Sequence, residues 1–283
     1  MVTAEQRRRA VTWLRASRQV SERRARRVVG LSASSYRYTS RRTERDAAVR
    51  ARLRVLAEKR PWWGSPRLHD LLVGEGRVVN HKRTERLYRV EHLAVPRRRG
   101  RRKHVSTPRG IPPAPTRPNE RWSMDFVRDT LAHGGAFRAF TLVDDDTREC
   151  PVIEVDRHLP SARVIEVLER LVRERGRPHA IVCDNGPEFT SRAFDAWAYR
   201  QQIQVLFIHP GKPIENAFIA SFNGRLRDEC LSISWLLDLD DARAQIEAWR
   251  IDYNTARPHR GLAGRTPSAF AQECTRTATS TDP

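Results

Sequence analysis

Asp125 and Asp184 are the residues of this chain best suited to chemistry. Asp125 sits in the apolar run Arg121-Trp122-Ser123-Met124-Asp125-Phe126-Val127. Asp184 closes Ala180-Ile181-Val182-Cys183-Asp184 and opens Asn185-Gly186-Pro187. A carboxylate in a stretch otherwise fit for burial needs a partner or a metal. An aspartate where a strand runs into a loop stands where α/β folds place their ligands. Two such carboxylates, with a third on a nearby helix, can hold two divalent ions for phosphodiester chemistry.

The third element is a helix starting near Glu215. At about 100° per residue, Asn216, Ala220, Asn223 and Arg227 fall within an arc of about 60°. Phe218, Ile219, Phe222 and Leu226 fill an arc of about 100° on the other side, the expected core face. The first arc is expected to face the metal site or DNA, and Ala220 is its one apolar member. Glu215 lies about 140° from Ala220 around the axis and Glu229 points away. Glu188, four residues after Asp184, is the alternative ligand. Asp144-Asp145-Asp146 reads as turn chemistry.

Other elements must position and feed this site. Residues 1–124 hold 33 Lys+Arg against 10 Asp+Glu, and the remainder holds 20 against 24. All the net positive charge is therefore in the first part, as for a polyanion-binding module joined to a different domain. The four cysteines form no C-x-x-C pair, and the N-terminus opens on Glu5-Gln6-Arg7-Arg8-Arg9. A reduced, cytoplasmic setting fits, and no apolar run is long enough to span a membrane.

Residues 1–42 read as a helix-turn-helix, with Ser21 and Ser32 as caps around the Val29-Gly30-Leu31 turn. Residues 43–95 read as a second helical DNA-binding domain. Its helices cover Arg45–Lys59, Arg67–Glu75 and the turns after Asn80 through Tyr88. The last carries Lys82, Arg83 and Arg86 and is the candidate groove reader; Arg67 is a further DNA candidate. Residues 96–118 form a basic, Pro-rich linker, unstructured when unbound, whose Arg97, Arg98, Arg99, Arg101, Arg102 and Lys103 suit phosphates. From 119 to 274 the pattern becomes α/β. Strands are expected at Trp122–Val127, Phe137–Asp144, Cys150–Val155, Ala180–Cys183 and Val205–Ile208. Helices are expected at Ser161–Arg175, Ser191–Gln201, from Glu215, and at Leu239–Tyr253, over a mixed sheet. Residues 275–283 read as a disordered tail.

Asp125, Asp184-Asn185-Gly186-Pro187-Glu188-Phe189, His209-Pro210-Gly211-Lys212-Pro213, Asn216-Ala217-Phe218-Ile219, Ser221 to Leu231 and Tyr253-Asn254-Thr255-Ala256-Arg257-Pro258-His259 closely resemble the OrfB-type transposases of insertion-sequence family three, relatives of retroviral integrases. The resemblance covers nearly the whole chain. It implies an RNase H-like core, a mixed five-stranded sheet with helices, bearing an Asp-Asp-Glu triad and Mg²⁺ or Mn²⁺. It implies 35 residues between the last two acids, which counted from Asp184 falls on Ala220. The helix geometry reaches that position independently.

The expectation is a protein that binds the terminal repeats of its element and target DNA, as a homo-oligomer, with an OrfA-type partner or fusion. Its cutting and joining would be crippled by Ala220 in place of glutamate. Lys212, Asn216, Asn223 and Arg227 are further DNA candidates. The competing class is a DNA-binding regulator or architectural protein derived from a transposase. A retroviral-type integrase would want a His/Cys zinc module, and no cysteine precedes Cys150. A stand-alone nuclease would not need the basic helical modules.

Overall fold

A computed structural model describes residues 3–38, 42–78, 80–93, 95, 115–209 and 213–280. The basic stretch Arg97–Lys103, and Lys212, lie outside the described residues. The chain divides into two compact units, 1–52 and 53–283. The division falls inside one helix, whereas composition places a first boundary at residues 42 and 43.

In the first unit, α1 (Ala4–Arg18), α2 (Glu22–Val29) and α3 (Ala33–Arg37) enclose Val11, Ala25 and Leu31. The expected caps form: Ser21 Oγ accepts from the Arg24 amide and Ser32 Oγ from the Ser35 amide. Gly30 ends α2 at φ 67°, a left-handed turn that glycine enters without a Cβ penalty.

The helix α4 (Arg42–Lys59) crosses into the second unit, which continues with α5 (Ser65–Gly74) and α6 (His81–Val90). Pro66 at the start of α5 and the Asn80 side chain on the Lys82 amide begin these two helices. Five strands follow: β1 (Arg121–Thr130), β2 (Ala136–Asp144), β3 (Val152–Asp156), β4 (Ala180–Cys183) and β5 (Gln204–Phe207). They lie in the order β3-β2-β1-β4-β5. The first three are antiparallel, while β4 and β5 run parallel to β1. The helices are α7 (Ser161–Arg175), α8 (Arg192–Arg200), α9 (Ala217–Leu226), α10 (Leu239–Thr255) and α11 (Pro267–Ser280).

Alternation along β1 sets the layers. Trp122 and Met124 face one core with Leu168 of α7 and Trp197 of α8. Val127 faces the other, with Ile219 and Phe222 of α9 and Ile246 of α10. Asp125, in phase with Val127, therefore points toward α9. Two elements differ from the sequence reading. The chain after Cys274 is helical through Ser280, with Thr275 and Thr277 hydroxyls bonded to the carbonyls one turn back. The helix after Glu215 is composite: a 3₁₀ turn over Pro213–Asn216, then α9, then a π turn over Arg227–Leu231.

Asn254, at the end of α10, pairs with the backbone of the connection between β2 and β3. Its Oδ1 accepts from the Cys150 amide at 2.9 Å and its Nδ2 donates to the Cys150 carbonyl at 2.8 Å. Arg250 also donates to that carbonyl, so the amide is the group left alone when Asn254 is removed. Asn254→Ala should lower unfolding free energy by about 1–3 kcal/mol, read from urea midpoints at unchanged slope.

Candidate active site

Parallel pairing brings the two aspartates together. The register sets Arg121 opposite Ala180, Trp122 opposite Ile181 and Ser123 opposite Val182. Two residues further on, Asp125 in the middle of β1 is level with Asp184 just past the end of β4, on strands spaced about 4.8 Å apart. Both are half-buried. Burial pushes the Asp125 carboxyl above its ordinary range, and the charge of Asp184 adds to this. The Phe126 amide, Asn223 and Arg227 pull the other way without overcoming it.

Each carboxylate is held by one close amide from its own strand or turn. Asp125 Oδ1 accepts from the Phe126 amide at 2.7 Å, and Asp184 Oδ1 from the Gly186 amide at 3.0 Å. Glycine at 186 leaves room for the carboxylates: a Cβ there would sit 3.0 Å from Asp184 Oδ1 and 3.3 Å from Glu188 Oε2, close enough that one of them must shift.

The helix α9 closes over β1 through its asparagines. Asn223 Nδ2 donates to Asp125 Oδ2 at 2.9 Å, and its Oδ1 lies 2.9 Å from the Thr141 hydroxyl. Thr141, opposite Asp125 in the β1–β2 register, also reaches the Asp125 carbonyl at 3.0 Å. Asn216 Nδ2 donates to the Met124 carbonyl at 3.2 Å. Asn216 and Asn223 are 5 % and 1 % exposed. Their assignment as DNA contacts is thereby corrected: both side chains are buried and dock α9 on the strand that carries Asp125, Asn223 through both of its amide atoms and Asn216 through Nδ2.

Ala220 lies one turn before Asn223, on the same side of α9, and is exposed. Its methyl is not packed into the core, where Ile219, Phe222 and Leu226 point. Arg227 is exposed, and its charge acts on Asp125.

The neighbouring acids are engaged elsewhere. Glu188 pairs with Arg138, whose guanidinium lies 4.0 Å from the centre of the Phe126 ring. Burial would raise the Glu188 carboxyl, but Arg138 and the local amide hold it below its ordinary range. Glu215 Oε2 accepts from the His209 amide at 2.8 Å, with His209 Nδ1 also at 2.8 Å. Among the described residues no group of three or more His, Cys, Asp or Glu could hold a metal ion. The donor set fits a divalent ion only in part: two carboxylates, and alanine on the helix above them.

Of the basic candidates, Lys82 and Arg86 are exposed on α6 and Arg83 is half-buried beside them. Thr84, Leu87 and Tyr88 form the buried side of that helix. Arg67 lies 3.5 Å from Glu229. Sequence reading did not find the cluster around it, formed by Arg148, Arg225, Arg257, His259 and Arg260. The only signal was the Tyr253–His259 stretch, which carried resemblance but no visible chemistry.

A sheet of this order, with one carboxylate in the middle of its central strand and a second at the end of the adjacent parallel strand, defines the class: an RNase H-like integrase core. Integrase core domain models match residues 115–213 and 201–267, and an HTH-like domain model matches residues 43–102. The chain belongs to the insertion-element transposases. It is 47% identical over 259 residues to the 31.7 kDa protein of insertion element IS407 from Burkholderia multivorans, covering 92% of this chain and 93% of the relative. Identity to the 39.2 kDa protein of insertion element IS476 from Xanthomonas euvesicatoria is 44% over 252 residues, covering 89% and 72%. Among solved structures, the simian T-cell lymphotropic virus intasome in complex with PP2A regulatory subunit B56 gamma shares the fold. That match has a TM-score of 0.51 at 18% identity, covering 68% of this chain and 67% of the other.

Because the folded Asp125 carboxyl titrates above its unfolded value, its ionisation opposes folding. That cost is fully present above the folded midpoint and vanishes as the pH falls below about 3.8. Asp125→Asn should therefore raise the Tm at pH 7, by about 2–4 °C for each kcal/mol relieved. The gain over the native chain should shrink toward pH 4. A Tm that falls at pH 7 would contradict this electrostatic picture.

Proposed function

We propose that this chain binds double-stranded DNA at the terminal repeats of its element, as an oligomer. We further propose that it descends from a strand-cleaving and strand-transferring transposase whose third metal carboxylate has been replaced by Ala220. The observation that carries the reading is the convergence at one point. Two carboxylates stand level on adjacent strands, and α9 is fastened over them by Asn223, with an exposed alanine one turn away.

Asp125 and Asp184 are the residues that would hold Mg²⁺ or Mn²⁺. In a complete acidic triad, such ions activate the attacking hydroxyl and steady the leaving oxygen. What the chain itself supplies is orientation. Asn223 and the Phe126 amide fix the two oxygens of Asp125, and the Gly186 amide fixes Asp184. Like charges at Asp125 and Asp184, with Asp125 partly desolvated, would favour binding of a divalent cation by these two residues.

A strand-transfer assay on duplexes carrying the element's terminal repeats, with Mg²⁺ or Mn²⁺, tests this. The native chain should give little product, and Ala220→Glu should increase it by at least about tenfold, the equivalent of 1.4 kcal/mol in barrier. Robust activity of the native chain, or no gain from Ala220→Glu, would overturn the proposal. The second reading, a DNA-binding regulator without chemistry, rests on the same alanine. It would be favoured by tight end binding that Ala220→Glu leaves chemically silent.

End recognition is assigned to α6. Lys82→Ala and Arg86→Ala should each weaken binding to the terminal repeats and lower the slope of log affinity against log salt by about 1. Unchanged affinity in both variants would remove α6 from the interface.

A further inference from the structure

A cavity of about 560 Å³ opens beside α9, on the side that carries Phe218, Ser221 and Arg225. Arg67 enters it from α5, Arg148 from the turn after β2, and Arg257, His259 and Arg260 from the segment after α10. Five guanidinium groups therefore converge on one void in the second unit.

The available counter-charge falls short of them. Glu229 is taken by Arg257 in a two-pronged pair, with Arg257 Nη2 at 2.7 Å from Oε1. Arg257 is 2 % exposed, so this pair is part of the fold and not a free receptor. Arg67 has only the longer 3.5 Å approach to the same carboxylate. Among the described residues, Arg148, Arg225 and Arg260 are in no ion pair. Asp144, Asp145 and Asp146 act on Arg148 through their charge alone. Arg148 lies 3.7 Å from the centre of the Phe218 ring. Its Nη1 is buried with no hydrogen-bond partner, and so is His259 Nε2.

Electrostatics agree with the geometry. Burial and the nearby Arg257 push the Arg67 guanidinium down to about 10. Burial, then Arg225, Arg257 and Arg67, push His259 down to about 3, so it is neutral at pH 7. Cations crowded in a half-enclosed space repel one another, and a buried donor left without a partner opposes folding. An anion with several acceptor oxygens relieves both. Arginine forks match phosphate in particular.

We propose that this cavity is a receptor for phosphate groups, and that it seats backbone phosphates of a nucleic-acid strand running along α9 past Ala220. A carboxylate brings one negative charge; successive phosphodiesters bring several, which the excess of cations requires. Ser221 is next to Ala220 and exposed, about 100° around the helix. The strand assignment rests on the transposase reading. The phosphate-receptor assignment does not.

The test uses the full chain, native and with Arg67→Gln or Arg225→Gln. In one arm, inorganic pyrophosphate should raise the Tm of the native chain and raise that of each variant distinctly less. Arg225→Gln removes a like charge and also the hydrogen bond to Tyr253, so each chain's pyrophosphate shift is read against its own Tm without anion. In the second arm, binding to a terminal-repeat duplex is measured across salt concentrations. Each variant should lower the slope of log affinity against log salt by about 1 and weaken binding about tenfold near physiological salt. Arg225→Lys should keep the slope.

Equal pyrophosphate shifts in all chains would overturn the receptor. A smaller pyrophosphate shift in the variants with an unchanged DNA slope would assign the cavity to a free phosphate compound and overturn the strand assignment. A native chain that binds no terminal-repeat DNA would refute the transposase reading and the strand, while the pyrophosphate arm still decides the cavity.

Discussion

Two carboxylates level on neighbouring parallel strands repel each other, and the elements around them hold them there. The β1–β4 register sets them level, burial partly desolvates Asp125, and Asn223 clamps one of its oxygens. Such an arrangement is costly without a cation, and a protein does not build it for stability. Thr141 shows how far the support reaches. One hydroxyl bridges the backbone of the strand bearing Asp125 and the amide of the helix above it. The clamp is therefore an extension of the sheet.

Much of this was legible in the chain. Apolar runs placed β1, β2 and β4 to within one to three residues, and Ser161–Arg175 agrees with α7 at both ends. These runs are buried on at least one face, so hydrophobic period and strand length coincide. The arc containing Ala220 came from helical geometry alone. What the arc could not tell was direction. Polar residues facing inward to a carboxylate and polar residues facing outward to a ligand share one periodicity, so the arc reads as facing either the metal site or DNA, and Asn216 and Asn223 as DNA candidates. Only the sheet beneath them distinguishes the two.

The arginine cavity was illegible for a different reason. Its members come from α5, the turn after β2, α9 and the segment after α10, separated by tens of residues. Each alone is an ordinary basic residue in an arginine-rich chain. Their meaning arises from convergence, and from Glu229 being committed to Arg257. The tail after Cys274 is a smaller case. Thr and Ser are weak helix formers in isolation, yet with hydroxyls turned back onto carbonyls they continue α11.

The π turn at the end of α9 explains why one helix can serve two masters. In a regular α-helix Leu231 would lie about 140° around from Leu226. The wider turn, closed by the Ser232 amide on the Arg227 carbonyl at 2.8 Å, buries Cys230 and Leu231 together in the core shared with Leu226. It leaves Glu229 facing Arg257. Trimming a single amino acid from this bend would set greasy anchoring against ionic pairing, for the shortened coil could not satisfy both. Length here is consequently under tighter constraint than identity, and gaps in this bend should be far rarer among descendants than swaps of side chain.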